Sequence, residues 1–568
     1  MGGETSKFIL LDDAGGIIDY QTNGDCAAGT GSFLDQQAGR LHYEVDQIGG
    51  IVAGATRSAQ IAGRCSVFAK SDMIHAQQKG YSPPEVLRGL CDAVARNYRS
   101  AVFRSRKLIT PAAFIGGVAS NSAVAGAMRE TFELADGELI VPPAHAHFAA
   151  IGAAAVARAT ADDVDMTRLA SLRTAGEAGD FPTTEPLSMH RVLLLRDQVE
   201  PYTFDLGGPP VDTWLGIDIG SVSTNLVVVD DAGRVVYEIY TRTRGRPIEV
   251  VSEGLLEIRD AVGDRIVVRG VGTTGSGREL IGALIGADTV NDEITCHKTG
   301  ASFIGRRMIG RTPDTIFEIG GQDSKFISLQ DGIVVDFTMN EACAAGTGSF
   351  LEERAEELGV AIKDEFAQLA LASAAPIRLG ERCTVFMEHD VNNYMQRGAD
   401  KGDLIAGLAY SIAYNYINRV VRGRTIGRQV FFQGGTAYND AVAAAFASIL
   451  DTDIVVPPHN GVMGAIGAAL LAREKMAVPA EADLQPVGAG AYASDRPRPR
   501  RTTFRGWEMD KVDYTLREFT CKGCSNHCAI QEFNVEGEKT YWGDKCSDRF
   551  RKRAKTGRPV SIPDLVKL

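Results

Sequence analysis

Residues 214–236 read WLGIDIGSVSTNLVVVDDAGRVV, an apolar strand, a tight polar turn and a second apolar strand. Asp218 sits between apolar strand positions. Gly220 lets the backbone approach closely, and Ser221, Ser223 and Thr224 offer hydroxyls and N–H groups at the hairpin tip, a device that can wrap phosphate oxygens. A solvent-exposed hairpin uses the same residue types, so the reading depends on what accompanies it. TIFEIGGQDSKFISL at 315–329 repeats the design, with Glu318 and Asp323 bracketing Gly320, Gly321 and Gln322. FFQGGTAYND at 431–440 places Gly434 and Gly435 in a third such turn, before the helix-like AVAAAFASIL. GTTGSGRELIG at 272–282 adds a further Gly-rich turn running into a helix. Turns of this kind converge in a two-lobed α/β fold, two on phosphates and one on adenosine. Asp218 with Glu318 or Asp323 is then expected to hold Mg²⁺ through water and to orient the attacking water of ATP hydrolysis.

Working outward, the chain repeats itself. CAAGTGSFL stands at 26–34 and again at 343–351. Upstream, GGETSKFILLDDAGGIIDY (2–20) parallels GGQDSKFISLQDGIVVDF (320–337). Downstream, GRCSVF (63–68) parallels ERCTVF (381–386), and FIGGVASNSAV (114–124) parallels FQGGTAYNDAV (432–442). Met1 aligns with Ile319, so the first copy starts deep inside the frame of the second. The expected organisation is a truncated first ATPase module at 1–158, a linker at 159–211, a complete module at 212–475, a linker at 476–505 and a Cys-rich segment at 506–568 that begins a further domain.

Of the 568 residues, 44% are apolar and 23% charged, enough for several domains with cores of their own. The net charge of −12 argues against a nucleic-acid partner, because phosphate contacts need clustered Lys and Arg. The longest apolar runs are short and Ala-rich, below the ~20 residues of a membrane span. The N-terminus has no basic region followed by an apolar core, so a cytoplasmic protein is expected.

Ten cysteines in such a chain are not a disulfide framework. Two are shared between the copies, Cys26 and Cys65 in the first and Cys343 and Cys383 in the second. A cubane iron–sulfur cluster wants about four thiolates. One copy supplies two, both copies together four. Zinc would accept the same set, and four buried structural thiols are the plainest alternative. Cys26 and Cys343 each precede a Gly-containing turn that opens into a helix, so a helix N-terminus is expected to point at whatever these thiols hold. Cys521, Cys524 and Cys528 form C-x₂-C-x₃-C, with Cys546 following, a spacing that suits a second cluster or Zn²⁺.

The set GIDIGSVST, VGTTGSGR, EITCHKTGA, EIGGQDSK, NEACAAGTGSFLE, ERCTVFMEHD and FQGGTAYN resembles the ATP-dependent activators of 2-hydroxyacyl-CoA dehydratases and of benzoyl-CoA reductase. This is the BadF/BadG/BcrA/BcrD ATPase family, here in its long tandem-repeat form. The resemblance implies tandem actin-like modules of the acetate/sugar kinase–chaperone–actin superfamily, with a ribonuclease H-like core. It implies an ATPase coupled to electron transfer, a ferredoxin or flavodoxin as donor, and an iron–sulfur dehydratase or reductase acting on a CoA thioester as acceptor. In that family two identical subunits share one [4Fe–4S] cluster, so Cys26, Cys65, Cys343 and Cys383 would form its ligand set in an intramolecular pseudo-dimer. Asn225 stands where many relatives carry Lys. The fold also serves sugar and small-molecule kinases, and a non-catalytic scaffold would retain it.

Overall fold

The computed structural model describes residues 1–24, 26–61, 63, 65–160, 181–205, 207–340, 343–477, 501–509, 514–521, 529–535 and 537–542. They divide into two compact units, one built on Met1–Thr203 with Glu293–Gly467, the other on Phe204–Asp292 with Ala468–Cys521. The span expected as one module, 212–475, is therefore shared between two units. The physical reason is that its two halves each form a sheet and a core of their own.

In the second unit, Val211–Ile219, Ser223–Asp230 and Val235–Arg242 form an antiparallel meander. Ile266–Thr274 then returns parallel to Val211–Ile219, and Thr289–Val290 pairs parallel beyond it. The middle of the first strand and nearly all of the second are buried, as their continuous apolar reading requires. The first unit repeats the plan. Thr315–Ile319, Ser324–Gln330 and Ile333–Asn340 form the meander, and Val430–Gln433 and Ile454–Val456 continue it in parallel. Val192–Leu194, from the stretch expected as linker, adds a sixth strand parallel to Ile454–Val456. Val192 and Leu194 pack against the core of that unit.

Among the described residues of the first copy, also in the first unit, two ribbons correspond to the flanks of this sheet. Lys7–Leu11 pairs with Ile17–Thr22, and Ala112–Ala113 with Leu139–Ile140, as two separate ribbons. Elsewhere the copies agree closely. Helices Gly31–Arg40 and Gly348–Glu357 match, as do Ser66–Gln78 and Thr384–Gln396. Asn121 and Asn439 each cap the helix after a Gly-Gly turn with the side-chain oxygen accepting backbone N–H groups.

The C-terminal strands Tyr514–Thr520, Ala529–Val535 and Glu538–Trp542 form an antiparallel sheet. Cys521 is buried at its first strand's end. Cys524, Cys528 and Cys546 lie outside the described residues. Among the described residues no helix is long and apolar enough to cross a membrane.

Candidate functional site

Each unit presents the expected turn in the same form. Gly220 N–H donates to Ser223 O at 2.9 Å, and Gly320 N–H to Asp323 O at 3.0 Å. Asp218 and Glu318 occupy the same position, one residue before the strand end. A glycine in left-handed conformation backs each of them. A Cβ on Gly275 (φ +85°) would lie 2.6 Å from Asp218 Oδ1, and one on Gly434 (φ +91°) 2.7 Å from Glu318 Oε1 and 2.5 Å from Ile319 O. Only glycine accepts both that dihedral and that approach. In the second unit Ser221, Ser223 and Thr224 follow Gly220. Thr224 Oγ1 lies 2.9 Å from Thr243 Oγ1, which donates to Gly220 O at 2.7 Å and so fixes the turn. Gly435 opens the short 3₁₀ turn after Gly434.

Orphaned polar atoms gather on these elements. Asn225 Oδ1 and Thr274 Oγ1 in one unit, and Ser324 Oγ, Gln433 Oε1 and Thr436 Oγ1 in the other, are buried without a hydrogen-bond partner. Burying such groups unpaired is costly. They suit a ligand as rich in polar atoms as a nucleotide.

Between Glu318 and Asp323, both expected from their place beside the Gly-Gly turn, lies a cation that no sequence motif marks. Lys325 Nζ lies 2.9 Å from Glu318 Oε2, 2.9 Å from Asp323 Oδ2 and 3.1 Å from Glu293 Oε2, and the side chain is buried. A carboxylate inside a central strand has to be paired, and a lysine seven residues on in the adjacent antiparallel strand is in register to do it. One ammonium among three carboxylates leaves a negative surplus, the charge balance that fits a divalent cation. Burial pushes Glu318 up to about 7, with Lys325 opposing and Asp323 and Glu293 reinforcing. His297, hydrogen-bonded to Gln433 at 3.0 Å, is lowered to about 3 by burial and by Lys325, so it is neutral.

The four shared cysteines meet within the first unit. Cys65 and Cys383 are the N-caps of helices Ser66–Gln78 and Thr384–Gln396. The helix that starts next to a thiol is thus the one after Cys65 or Cys383, while Cys26 and Cys343 precede a Gly-containing turn and then a helix, as expected. Those two lie five residues before helices Gly31–Arg40 and Gly348–Glu357, because Gly29 (φ +79°) and Gly346 (φ +81°) turn the chain first. Cys65 accepts an N–H from Ala344 of the other copy and from Val67 in its own helix. Cys383 accepts from Ala27 of the other copy and from Val385. The arrangement is a crossed, pseudo-twofold exchange. Cys26 donates its S–H to Cys383, which holds Cys383 down to about 6 and Cys26 up. Burial raises Cys65 to about 12, with Cys343 and Cys383 adding to the effect, and burial likewise raises Cys343. Among the described residues no group of three or more His, Cys, Asp or Glu side chains is drawn together as a ready metal site. The chemistry of the set, four thiols from two copies with N–H donors on every sulfur, fits thiolate ligation.

The thiol loops are strapped to the carboxylate turn. Gly348 N–H donates to Gly320 O at 2.8 Å and Ser349 N–H to Gly321 O at 2.9 Å, so the helix after Cys343 starts on the turn between Glu318 and Asp323. Gln322 completes that turn.

A family model described as the BadF/BadG/BcrA/BcrD ATPase family matches residues 1–157 and 215–472. The (R)-2-hydroxyglutaryl-CoA dehydratase activating ATPase of Acidaminococcus fermentans is 35% identical over 267 residues, covering 46% of this chain and 98% of that protein. An activator of lactoyl-CoA dehydratase from Anaerotignum propionicum is 34% identical over 269 residues, covering 46% of this chain and 97% of that one. Among solved structures, the activator of the 2-hydroxyisocaproyl-CoA dehydratase from Clostridium difficile with bound ADPNP is 30% identical, with a TM-score of 0.43, covering 49% of this chain and 100% of that chain.

Proposed function

The chain belongs to the BadF/BadG/BcrA/BcrD ATPase family, and from that premise we propose that it is an ATP-hydrolysing activator that passes low-potential electrons to an iron–sulfur dehydratase or reductase acting on CoA thioesters. The observation that carries this reading is the meeting of Cys26, Cys65, Cys343 and Cys383 from two copies. A kinase has no use for such a set. A [4Fe–4S] cluster held by these thiolates would supply one-electron storage. Cys521, with Cys524, Cys528 and Cys546, is assigned to a second cluster or Zn²⁺.

The chain's own part follows from its geometry. Asp218 and Glu318, with Asp323, are the carboxylates assigned to Mg²⁺–ATP and the attacking water. Gly220, Ser221, Ser223, Thr224, Gly320, Gly321, Gln322, Gly434 and Gly435 are assigned to phosphate and nucleoside. Lys325 pairs with the carboxylates in this state and has to share them when Mg²⁺–ATP arrives. A rearrangement of the Gly320–Asp323 turn pulls directly on Gly348 and Ser349, and so on the loop that carries Cys343. Nucleotide state then biases two arrangements of the thiol pocket, which is all a ligand can do to a conformational equilibrium. A ferredoxin or flavodoxin is the donor class that fits.

Anaerobic purification with iron, sulfide and ATP-turnover measurements tests the reading. Cys26→Ser is expected to lose about four irons while keeping ATP hydrolysis. Asp218→Asn is expected to lose hydrolysis and keep the iron. Zinc in place of iron, or unchanged iron in Cys26→Ser, defeats the proposal.

A further inference from the structure

The face on which the two copies meet carries a charge pattern that neither the nucleotide turns nor the thiols use. Aligning the copies through CAAGTGSFL pairs Gln36 with Glu353, Gly39 with Glu356 and Arg40 with Glu357, and aligning CSVF with CTVF pairs Lys70 with Glu388. At each of these positions the second copy has glutamate and the first copy does not. Helix Gly31–Arg40 packs on Thr384–Gln396, and Gly348–Glu357 on Ser66–Gln78, so the contacts come in pseudo-twofold pairs. Arg40 is ion-paired with Glu353. Lys70 Nζ lies 2.6 Å from Glu356 Oε2 and 3.6 Å from Glu353 Oε2. The twin of the Lys70–Glu353 contact is Glu388 with Gln36, and Gln36 donates a hydrogen bond to Glu388. The face borders a cavity of about 740 Å³ lined by Arg40, Lys70, Glu353, Glu356, Glu357 and Glu388.

Exchanging copies on this scaffold shows what the face accepts. Two second copies would set Glu388 and Glu357 against Glu353, and Glu388 against Glu356, each of them twice. Glu353 is buried, so the repulsion would be poorly screened. Within the second copy, burial pushes Glu357 up to about 7, with Arg354 opposing and Glu388 adding, and the first copy's Arg40 and Lys70 oppose the rise. Two first copies would set Lys70 and Arg40 against Gln36 and Gly39, with no carboxylate to meet. A first copy against a second gives opposite charges at Arg40–Glu353, Lys70–Glu356 and Lys70–Glu353, although Arg354, paired with Glu357 and Glu388 of its own copy, faces Arg40 as a like charge. Surface ion pairs add little net affinity, but like charges facing each other across an interface exclude a partner.

We propose that this charge segregation makes the first copy the specified partner of the second, and that it bars the second copy from pairing with itself. The partner the face fits is a first-copy surface, from the same chain or from another copy of it. The inference does not depend on what the thiols bind.

The test uses the full chain in two double variants, Arg40→Glu with Lys70→Glu, and Glu353→Lys with Glu356→Lys. Each is expected to lower amide-exchange protection of Gly31–Arg40 and Gly348–Glu357 at least tenfold. The quadruple variant is expected to recover protection to within twofold of wild type. A one-to-one mixture of the two double variants is expected to sediment as a two-chain species, which neither forms alone. A variant that merely misfolds would not be rescued by the quadruple or by mixing. Wild-type protection in the double variants, no recovery in the quadruple, or a two-chain species from one double variant alone overturns the proposal.

Discussion

Glu318 and Lys325 decide the chemistry at the scale of single residues. With its folded value near 7 and an ordinary value of 4.5, Glu318 favours the folded state when protonated. Its contribution is complete below about pH 4.5 and is lost as pH rises through 7. Glu318→Gln should therefore gain thermal stability relative to wild type as pH rises across that window, and melting curves at pH 5 and pH 8 read the difference. A flat difference would mean that Lys325 fully neutralises the carboxylate. Lys325→Met leaves Glu293, Glu318 and Asp323 without their cation, and breaking a buried pair this way costs about 3–5 kcal/mol. Differential scanning calorimetry should show a large fall in melting temperature, greater at pH 8 than at pH 5. Gly434→Ala forces a Cβ against Ile319 O and Glu318 in a left-handed backbone. A loss of about 1–3 kcal/mol together with loss of ATP turnover is expected. The acids were legible in the sequence because they flank Gly-Gly turns. Lys325 stood in the same quoted stretch, but only the strand register reveals that its ammonium lies between them.

The unit of construction at the scale of elements is the loop from hairpin to cysteine to helix, built twice. Asn23 Nδ2 donates to Cys26 O at 2.7 Å and Asn340 Nδ2 to Cys343 O at 2.8 Å. Thr30 and Thr347 each donate to an alanine carbonyl at 2.7 Å, and Tyr98 and Tyr416 each tie back to the lysine strand. Asn340 also donates to Ala345 O. Asn340→Ala should thus cost about 1–2 kcal/mol and loosen the loop. Alkylation of Cys343 in chelator-treated protein should accelerate several-fold, and Asn23→Ala should do the same for Cys26. An unchanged labelling rate would show that the Gly turns alone hold the loop. Nine identical residues in each copy made these loops legible as one design. What the sequence could not yield is which helix end faces the thiols. That depends on Gly29 and Gly346 turning the chain before the nearer helix, which leaves Cys65 and Cys383 as the caps.

The asymmetry between the copies governs the molecule as a whole. Duplication and the offset of Met1 were plain from residue identities, and so was the expectation of four shared thiols. Contacts between residues some three hundred positions apart have no signature in periodicity, so the crossed donation of Ala27 to Cys383 and Ala344 to Cys65 emerged only from the fold. The same holds for the strand Val192–Leu194, whose three residues are too short a run to stand out within a Pro-containing stretch.

The crossed thiol pocket also has a consequence for dilution. Where two separate subunits build such a pocket, its population falls with protein concentration by mass action. Here both halves travel on one chain, so the second half meets the first by an intramolecular step rather than by encounter between molecules. The pocket should be as fully assembled at nanomolar protein as at micromolar.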